Sequence, residues 1–276
     1  MIKALFFLSV VFGSFLFSNA NQSQPIQFFV IVPSYNNAQW AKANLDSVVA
    51  QTYPHWHIMY LNDCSADKTA KIVSSYISKH HLEDKITFVN NSIRLGSLAN
   101  IYYAIKKVPP DAIVAIIDGD DRLIDNQAFE YLASQYEADP SLWLTYGNYV
   151  PYPNDRKPIC AAIPDSIASQ NKIRSYRFVS SHLRTFYAGL FHLIKKEDLL
   201  DNYGKFFMTA GDVAIMFPML EMASQGHFRF IDKPFYEYNR TNPINDFRHK
   251  RLVTLAHRVI KARPCYPPLE IAPWQH

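Results

Sequence analysis

The chain has 276 residues, 49% hydrophobic and 19% charged, and 28 basic against 24 acidic residues leave a formal charge of +4. This balance excludes an intrinsically disordered chain, and it supplies no overall basic excess for binding nucleic acid. The length suffices for one large domain or two small ones, with a proper core.

The first twenty residues differ from the rest. Lys3 precedes an apolar run from Ala4 to Phe17 and then Ser18-Asn19-Ala20, the order of a secretory signal peptide cleaved after Ala20. The run is shorter than the roughly 20 residues of a spanning helix. Residues 1–20 therefore read as a signal peptide, or alternatively as a retained N-terminal anchor. The expected location is the secretory pathway or outside the cell, with membrane attachment only if the N-terminus is retained. Cys64, Cys160 and Cys265 are odd in number and widely spaced, so they specify neither a disulfide pair nor a zinc site.

From Gln27 short apolar strands alternate with helical stretches. FFVIV (28–32) reads as a buried strand ended by Pro33, followed by a helix capped by Asn36 or Asn37 with Leu45, Val48 and Val49 on one face. HIMYL (57–61) is the second strand, and Asp67 is placed to cap the next helix, with Ile72, Val73, Tyr76 and Ile77 as its apolar face. ITFV (86–89) and AIVAII (112–117) are the third and fourth strands, separated by a helix through Leu98, Ile101, Tyr102 and Ile105. Strands apolar on both faces, alternating with helices, predict a parallel sheet covered on both sides. Ligands bind at the carboxyl ends of such strands. Tyr35-Asn36, Asp63, Asn91 to Arg94 and Asp118 to Asp121 each follow a strand and are expected to converge on one edge.

The later half is less regular. SLWLTYGNYVPY (141–152) reads as strand with turns, and residues 167–191 suit an active-site wall better than a core. DVAIMFPMLEMAS (212–224) reads as a helix, HFRFI and PFYEYN as two strands, and 247–262 as a basic helix before a Pro-rich tail.

GxGxxG after a strand, GxxxxGK[ST] and GxSxG are all absent, which removes the dinucleotide fingerprint, the P-loop and the serine elbow. The chemistry then rests on DGDD (118–121), three carboxylates in four positions after an apolar strand. Like charges so close repel unless a cation or hydrogen-bond donors lie among them. The stretch is either a solvated turn or a divalent metal site, and the convergence of four polar clusters favours the second.

With those residues in view, FFVIVPSYNN (28–37), QTYPHW (51–56) and NDCSADKT (62–69), followed by DGDD, resemble the opening of family 2 glycosyltransferases of the GT-A fold. The resemblance covers about residues 26 to 125. It implies a Rossmann-like α/β mixed sheet with helices on both faces and a single GT-A domain over 21–246, ahead of a C-terminal helix and Pro-rich tail at 247–276. It also implies an inverting, metal-dependent hexosyltransferase. A UDP-sugar is the expected donor, and the acceptor is a hydroxyl on a glycan, glycoprotein or glycolipid; the alternative is a non-catalytic nucleotide-sugar or glycan-binding module.

Carried over position by position, Pro33, Tyr35 and Asn36 border the nucleotide base and Asp63 accepts a hydrogen bond from it. Arg94 and Asn100 lie near the nucleoside or sugar, and Asp118 holds the ribose or assists the metal. Asp120 binds Mn²⁺ or Mg²⁺ directly, hard cations that prefer carboxylate oxygens. Asp121 is either a partner behind the metal ligands or a helix cap. Asp212, at the start of a late helix, is the implied catalytic base, or else a plain N-cap, and Glu221, well inside that helix, is the less favoured base. HLRTF (182–186) matches a subset of the family; Arg184 there grips the diphosphate or a charged acceptor, or else forms a surface salt bridge, and the role of His182 is open. His249 is the candidate late histidine completing the metal shell, or a solvated helix residue.

Overall fold

The computed structural model describes residues 24–153, 156–245, 248–272 and 274. The signal peptide or anchor expected at 1–20 lies outside the described residues.

In chain order the elements are β1 (Phe28–Ser34), α1 (Ala41–Val49), β2 (Trp56–Asn62), α2 (Thr69–His80), β3 (Ile86–Asn90) and α3 (Ser97–Ile105). Then follow β4 (Ile113–Ile116), β5 (Arg122–Leu123), α4 (Ala128–Ala138), β6 (Leu144–Tyr152) and α5 (Asp165–Ala168). The last group is β7 (Arg184–Tyr187), α6 (Ala188–His192), α7 (Gly211–Met222), β8 (Phe228–Asn239) and α8 (Lys250–Lys261). The strands form one mixed sheet in the order β3-β2-β1-β4-β7-β6-β8-β5. β3, β2, β1 and β4 are parallel, as the apolar strand–helix alternation predicts, and β7 joins β4 antiparallel.

The period of two along each strand builds a core on either face. Phe28, Val30 and Val32 of β1 and Ile58 and Tyr60 of β2 pack with α1, α2 and α4, whereas Ile31, Met59 and Leu61 pack with α3 and α7. At the start of α2 a short acidic side chain takes up a backbone N–H. Asp67 Oδ1 accepts from Thr69 N (2.9 Å) and Oδ2 from Ala38 N (3.0 Å), so the expected cap also ties the start of α2 to the loop after β1. At α1 the cap is backbone: the Asn37 carbonyl accepts from Trp40 N and Ala41 N, both at 2.9 Å.

In the later half two expected strands merge into one, and two other segments gain a definite place. The segment expected as a wall contains β7, which lies between β4 and β6 in mid-sheet, with Phe186, Leu190 and Phe191 fully buried. Phe178, His182 and Arg184 of the same segment also line a cleft, so the segment is a wall as well as core. HFRFI and PFYEYN are one continuous strand, β8, which stays paired with β6 through register shifts around Asn148. The C-terminal segment packs onto the main core, which includes Ala256, Ile260, Ala272 and Trp274.

A buried ion pair ties this C-terminal segment down. Glu221, fully buried in α7, receives Arg174 Nε on Oε1 and Arg174 Nη2 on Oε2, both at 2.7 Å. Arg174 Nη1 also donates to the Ile260 carbonyl at 2.7 Å, and Tyr266 N donates to Glu221 Oε2 at 2.9 Å. Glu221 is thus a structural pin, in line with its being the less favoured base. Removing one member leaves an uncompensated buried charge, so Glu221→Gln is expected to lower unfolding free energy by about 3–5 kcal/mol. Urea unfolding followed by circular dichroism measures this, and the Glu221→Met/Arg174→Met pair is expected to recover most of the loss.

Candidate functional site

The carboxyl ends of β1, β2 and β4 open into a cleft of about 440 Å³. Of the residues expected there, Pro33, Tyr35, Asp63, Arg94, Asn100, Asp118, Asp120, Arg184 and Asp212 all line it.

On one side, loop hydrogen bonds set the shape. Asp63, 3% exposed, accepts from Leu95 N and Gly96 N, both at 2.8 Å, and from Asn91 Nδ2 at 3.2 Å. Burial pushes its carboxyl up, but the bonds from Leu95, Asn100, Gly96 and Asn91 outweigh it and leave the group below the usual carboxylate value. Here Asp63 holds the 91–96 loop, a task beyond the expected contact with a nucleobase. Asn100 is braced likewise, accepting from Asn91 Nδ2 at 2.7 Å and donating to the Gly96 carbonyl at 3.0 Å. That loop lays the Arg94 guanidinium on the Tyr35 ring, 3.9 Å from its centroid. Asn36 is the exception. Its backbone is left-handed (φ 53°), and its Oδ1 accepts from Ala66 N at 2.9 Å, so the side chain braces a loop outside the cleft lining; Asn37 lines the cleft instead.

DGDD sits at the centre. Gly119 is required by crowding: a Cβ there would lie 2.7 Å from Ser34 Cβ and 2.8 Å from Asn37 Nδ2. Asn44, fully buried on α1, donates to the carbonyls of Asp118 (3.0 Å) and Asp121 (2.9 Å). Asp121 is 3% exposed and accepts from Tyr236 Oη and Asn239 N, both at 2.7 Å. It caps no helix; it fastens DGDD to β8. Tyr236 Oη also accepts from Asp118 N at 3.0 Å. Asp120 Oδ2 accepts from Asn242 Nδ2 at 2.7 Å. Burial raises the Asp120 carboxyl above its usual range against that bond. Burial, then the charges of Asp120 and Asp118, raise Asp121 much further, against the bonds from Tyr236 and Asn239.

Carboxyls crowded together and pushed toward protonation form a hard-oxygen donor set, and a dication can take the place of the protons. The residues present therefore fit Mn²⁺ or Mg²⁺. Ligand atoms of Asp118, Asp121 and His182 lie within 4.8 Å of one another. His182 is 5% exposed, stacked on Tyr236 at 4.4 Å, and held neutral well below its ordinary value by burial and then by Arg184. Arg184 Nη2 lies 3.2 Å from His182 Nδ1, and since arginine only donates, this contact assigns the imidazole proton to Nε2. That nitrogen faces Asp118 Oδ2 at 3.8 Å, so His182 ligates a metal through it only in the other tautomer. His249 is exposed at the start of α8 and does not line the cleft; the α8 histidine that does is His257, two helical turns further on.

Arg184 and Asp212 complete the wall. Arg184 is 3% exposed, not a surface residue, and its Nε and Nη1 have no hydrogen-bond partner. Its Nη1 lies 3.7 Å from Asp212 Oδ2. Asp212 stands in the first turn of α7, where Oδ1 accepts from Val213 N at 2.8 Å and the side chain is 36% exposed.

The sequence pattern of the family Glycosyl transferase family 2 matches residues 29–201. The chain belongs to this family. As a family 2 glycosyltransferase it is 25% identical over 201 residues to the poly-beta-1,6-N-acetyl-D-glucosamine synthase of Staphylococcus epidermidis, covering 72% of this chain and 46% of that protein. It is 28% identical over 120 residues to the Escherichia coli UDP-Glc:alpha-D-GlcNAc-diphosphoundecaprenol beta-1,3-glucosyltransferase WfgD, covering 44% of each. The chain thus spans less than half the length of these relatives. Its fold is similar to that of S. aureus TarS bound to UDP, with TM-score 0.56 and 18% identity over 84% of this chain and 65% of that one. It is also similar to the mannosyltransferase PcManGT of Pyrobaculum calidifontis with GDP-Man and Mn²⁺, with TM-score 0.54 and 20% identity over 89% and 67%. These structures establish the GT-A architecture, as expected.

Tyr236, Asn242, Asn239 and His257 are the residues that sequence reasoning missed. The asparagines after a strand in YEYNRTN were the available signal. The role of Asp63 in the loop yields a pH test. Its folded carboxyl titrates below 3.8, so its stabilisation is complete above that value and is lost as pH falls through the folded value. Asp63→Asn is expected to cost about 1–3 kcal/mol near neutrality. The gap between the two proteins should narrow as pH drops below 4, read from urea midpoints across a pH series.

Proposed function

We propose that the chain transfers a sugar from a nucleoside diphosphate sugar, with UDP-sugars as the preferred class, to a hydroxyl on a glycan, protein or lipid, with inversion at the anomeric carbon. The observation that carries this reading is one cleft lined by the DGDD carboxylates, the Tyr35–Arg94 stack and a helix-start carboxylate, Asp212.

Asp118, with Asp120 or Asp121, would hold Mn²⁺ or Mg²⁺, which when bound offsets negative charge on the diphosphate. Tyr35 and Arg94 offer a flat, cationic platform for the base. Arg184, with two buried N–H groups unsatisfied, offers donors to a diphosphate or an acidic acceptor. Asp212 takes the proton of the acceptor hydroxyl as its oxygen bonds to the anomeric carbon. The bond from that carbon to the diphosphate breaks, and its electron pair leaves on the phosphate oxygen. Attack from the face opposite the departing group inverts the carbon. Phe178, Phe207 and Met208 add apolar surface to the cleft lining.

Donor hydrolysis across a panel of nucleotide sugars, with and without Mn²⁺, tests the reading. No metal-dependent binding or hydrolysis of any donor would overturn it. Asp120→Asn is expected to lose metal-dependent donor binding by calorimetry. Asp212→Asn should keep donor binding while transfer falls by roughly 10²–10⁴-fold, the scale of general-base catalysis; unchanged transfer removes Asp212 from the role.

A further inference from the structure

The helix on the cleft rim has an outer surface that the transfer reaction does not use. Residues 248–263 hold six Lys or Arg and no acid. α8 lies within this segment and divides into four faces. Ala256 and Ile260 are buried in the core beneath it. Val253 and His257 border the cleft. Lys250, Arg251 and Arg258 are exposed. Leu252 and Leu255 are 56% and 57% exposed. At 100° per residue, the two leucines lie on the side of the buried stripe away from Val253 and His257, next to Arg251 and Arg258. The apolar arc is thus wider than the core needs, and its surplus is edged with cations.

A soluble polyanion would meet the charges but gain nothing from burying two leucines. A bilayer with anionic headgroups satisfies both, since apolar side chains enter the headgroup–acyl boundary while the cations stay among phosphates. We infer that the Leu252–Leu255 edge of α8, with Arg251 and Arg258 beside it, is a docking surface for an anionic lipid bilayer. Resting on the transfer reaction proposed above, this brings the enzyme to the surface on which lipid-borne hydroxyl acceptors lie. No helix among the described residues is long and apolar enough to cross a membrane, and attachment through α8 is interfacial.

The test is co-sedimentation of the full chain with vesicles of phosphatidylcholine alone or mixed with phosphatidylglycerol, at low and high salt. Binding is expected to need the anionic lipid and to weaken with salt. With each cation worth about 1 kcal/mol near such a surface, Lys250→Gln/Arg251→Gln/Arg258→Gln should weaken partitioning by roughly 100-fold. Leu252→Ser/Leu255→Ser should weaken it further at unchanged charge. Wild type and variants carry the same apolar stretch Ala4–Phe17, so its contribution cancels. Equal binding by all variants, or equal binding to neutral vesicles, overturns the inference. So does loss of a dimer in gel filtration with unchanged vesicle binding, which would make the face a contact between copies. Soluble-donor hydrolysis, expected to be the same in every variant, reports separately on the transfer reaction: its absence removes that reaction and leaves the docking result standing.

Discussion

Three carboxylates at the end of one buried strand repel one another, and most of the surrounding structure serves to hold them there. The Asp121 carboxylate is bound by Tyr236 and the Asn239 backbone, Asp120 by Asn242, and the backbone carbonyls of the turn by Asn44. These donors come from β8, from the loop after it and from α1, and Gly119 lets the turn press against Ser34. Hydrogen bonding reduces the repulsion without neutralising it, because burial still pushes Asp120 and Asp121 toward protonation. The remaining repulsion is of the kind that a bound divalent cation would offset.

The sheet divides the remaining work. Its parallel half places the ends of β1, β2 and β4 side by side, so the Tyr35, Asp63 and DGDD turns share one edge. The antiparallel half carries Arg184 into mid-sheet opposite Ile116, two residues before Asp118. A guanidinium is thereby buried beside the acidic cluster with two donors unsatisfied, which is costly unless a ligand accepts from them. The same guanidinium sets the tautomer of His182 and faces Asp212, so one residue links the acidic cluster to the carboxylate proposed as the base.

α8 belongs to the site as much as to the core. Its base packs on α7, which carries Asp212, and the Arg174–Glu221 pair fastens α7 to the helix's last turn through the Ile260 carbonyl. A contact made on the outer face of α8 therefore bears on an element rigidly joined to the one that presents Asp212.

Sequence alone determined the parallel half of the sheet, the position of DGDD at a strand end, and Asp212 at a helix start. Those features arise from periods of 2 and 3.6 and from turn chemistry, which act over a few residues. Tertiary structure decided the central place of β7, the pinning of Asp121 by Tyr236 and of Asp120 by Asn242, and His257 rather than His249 at the cleft. It also assigned Asn36 to bracing and gave Asp63 a loop to hold. Each of these depends on which strands become neighbours across separations of up to more than a hundred residues, as for Asp121 and Tyr236. A local pattern carries no record of such pairing; the order β4-β7-β6-β8 exists only once the sheet has assembled.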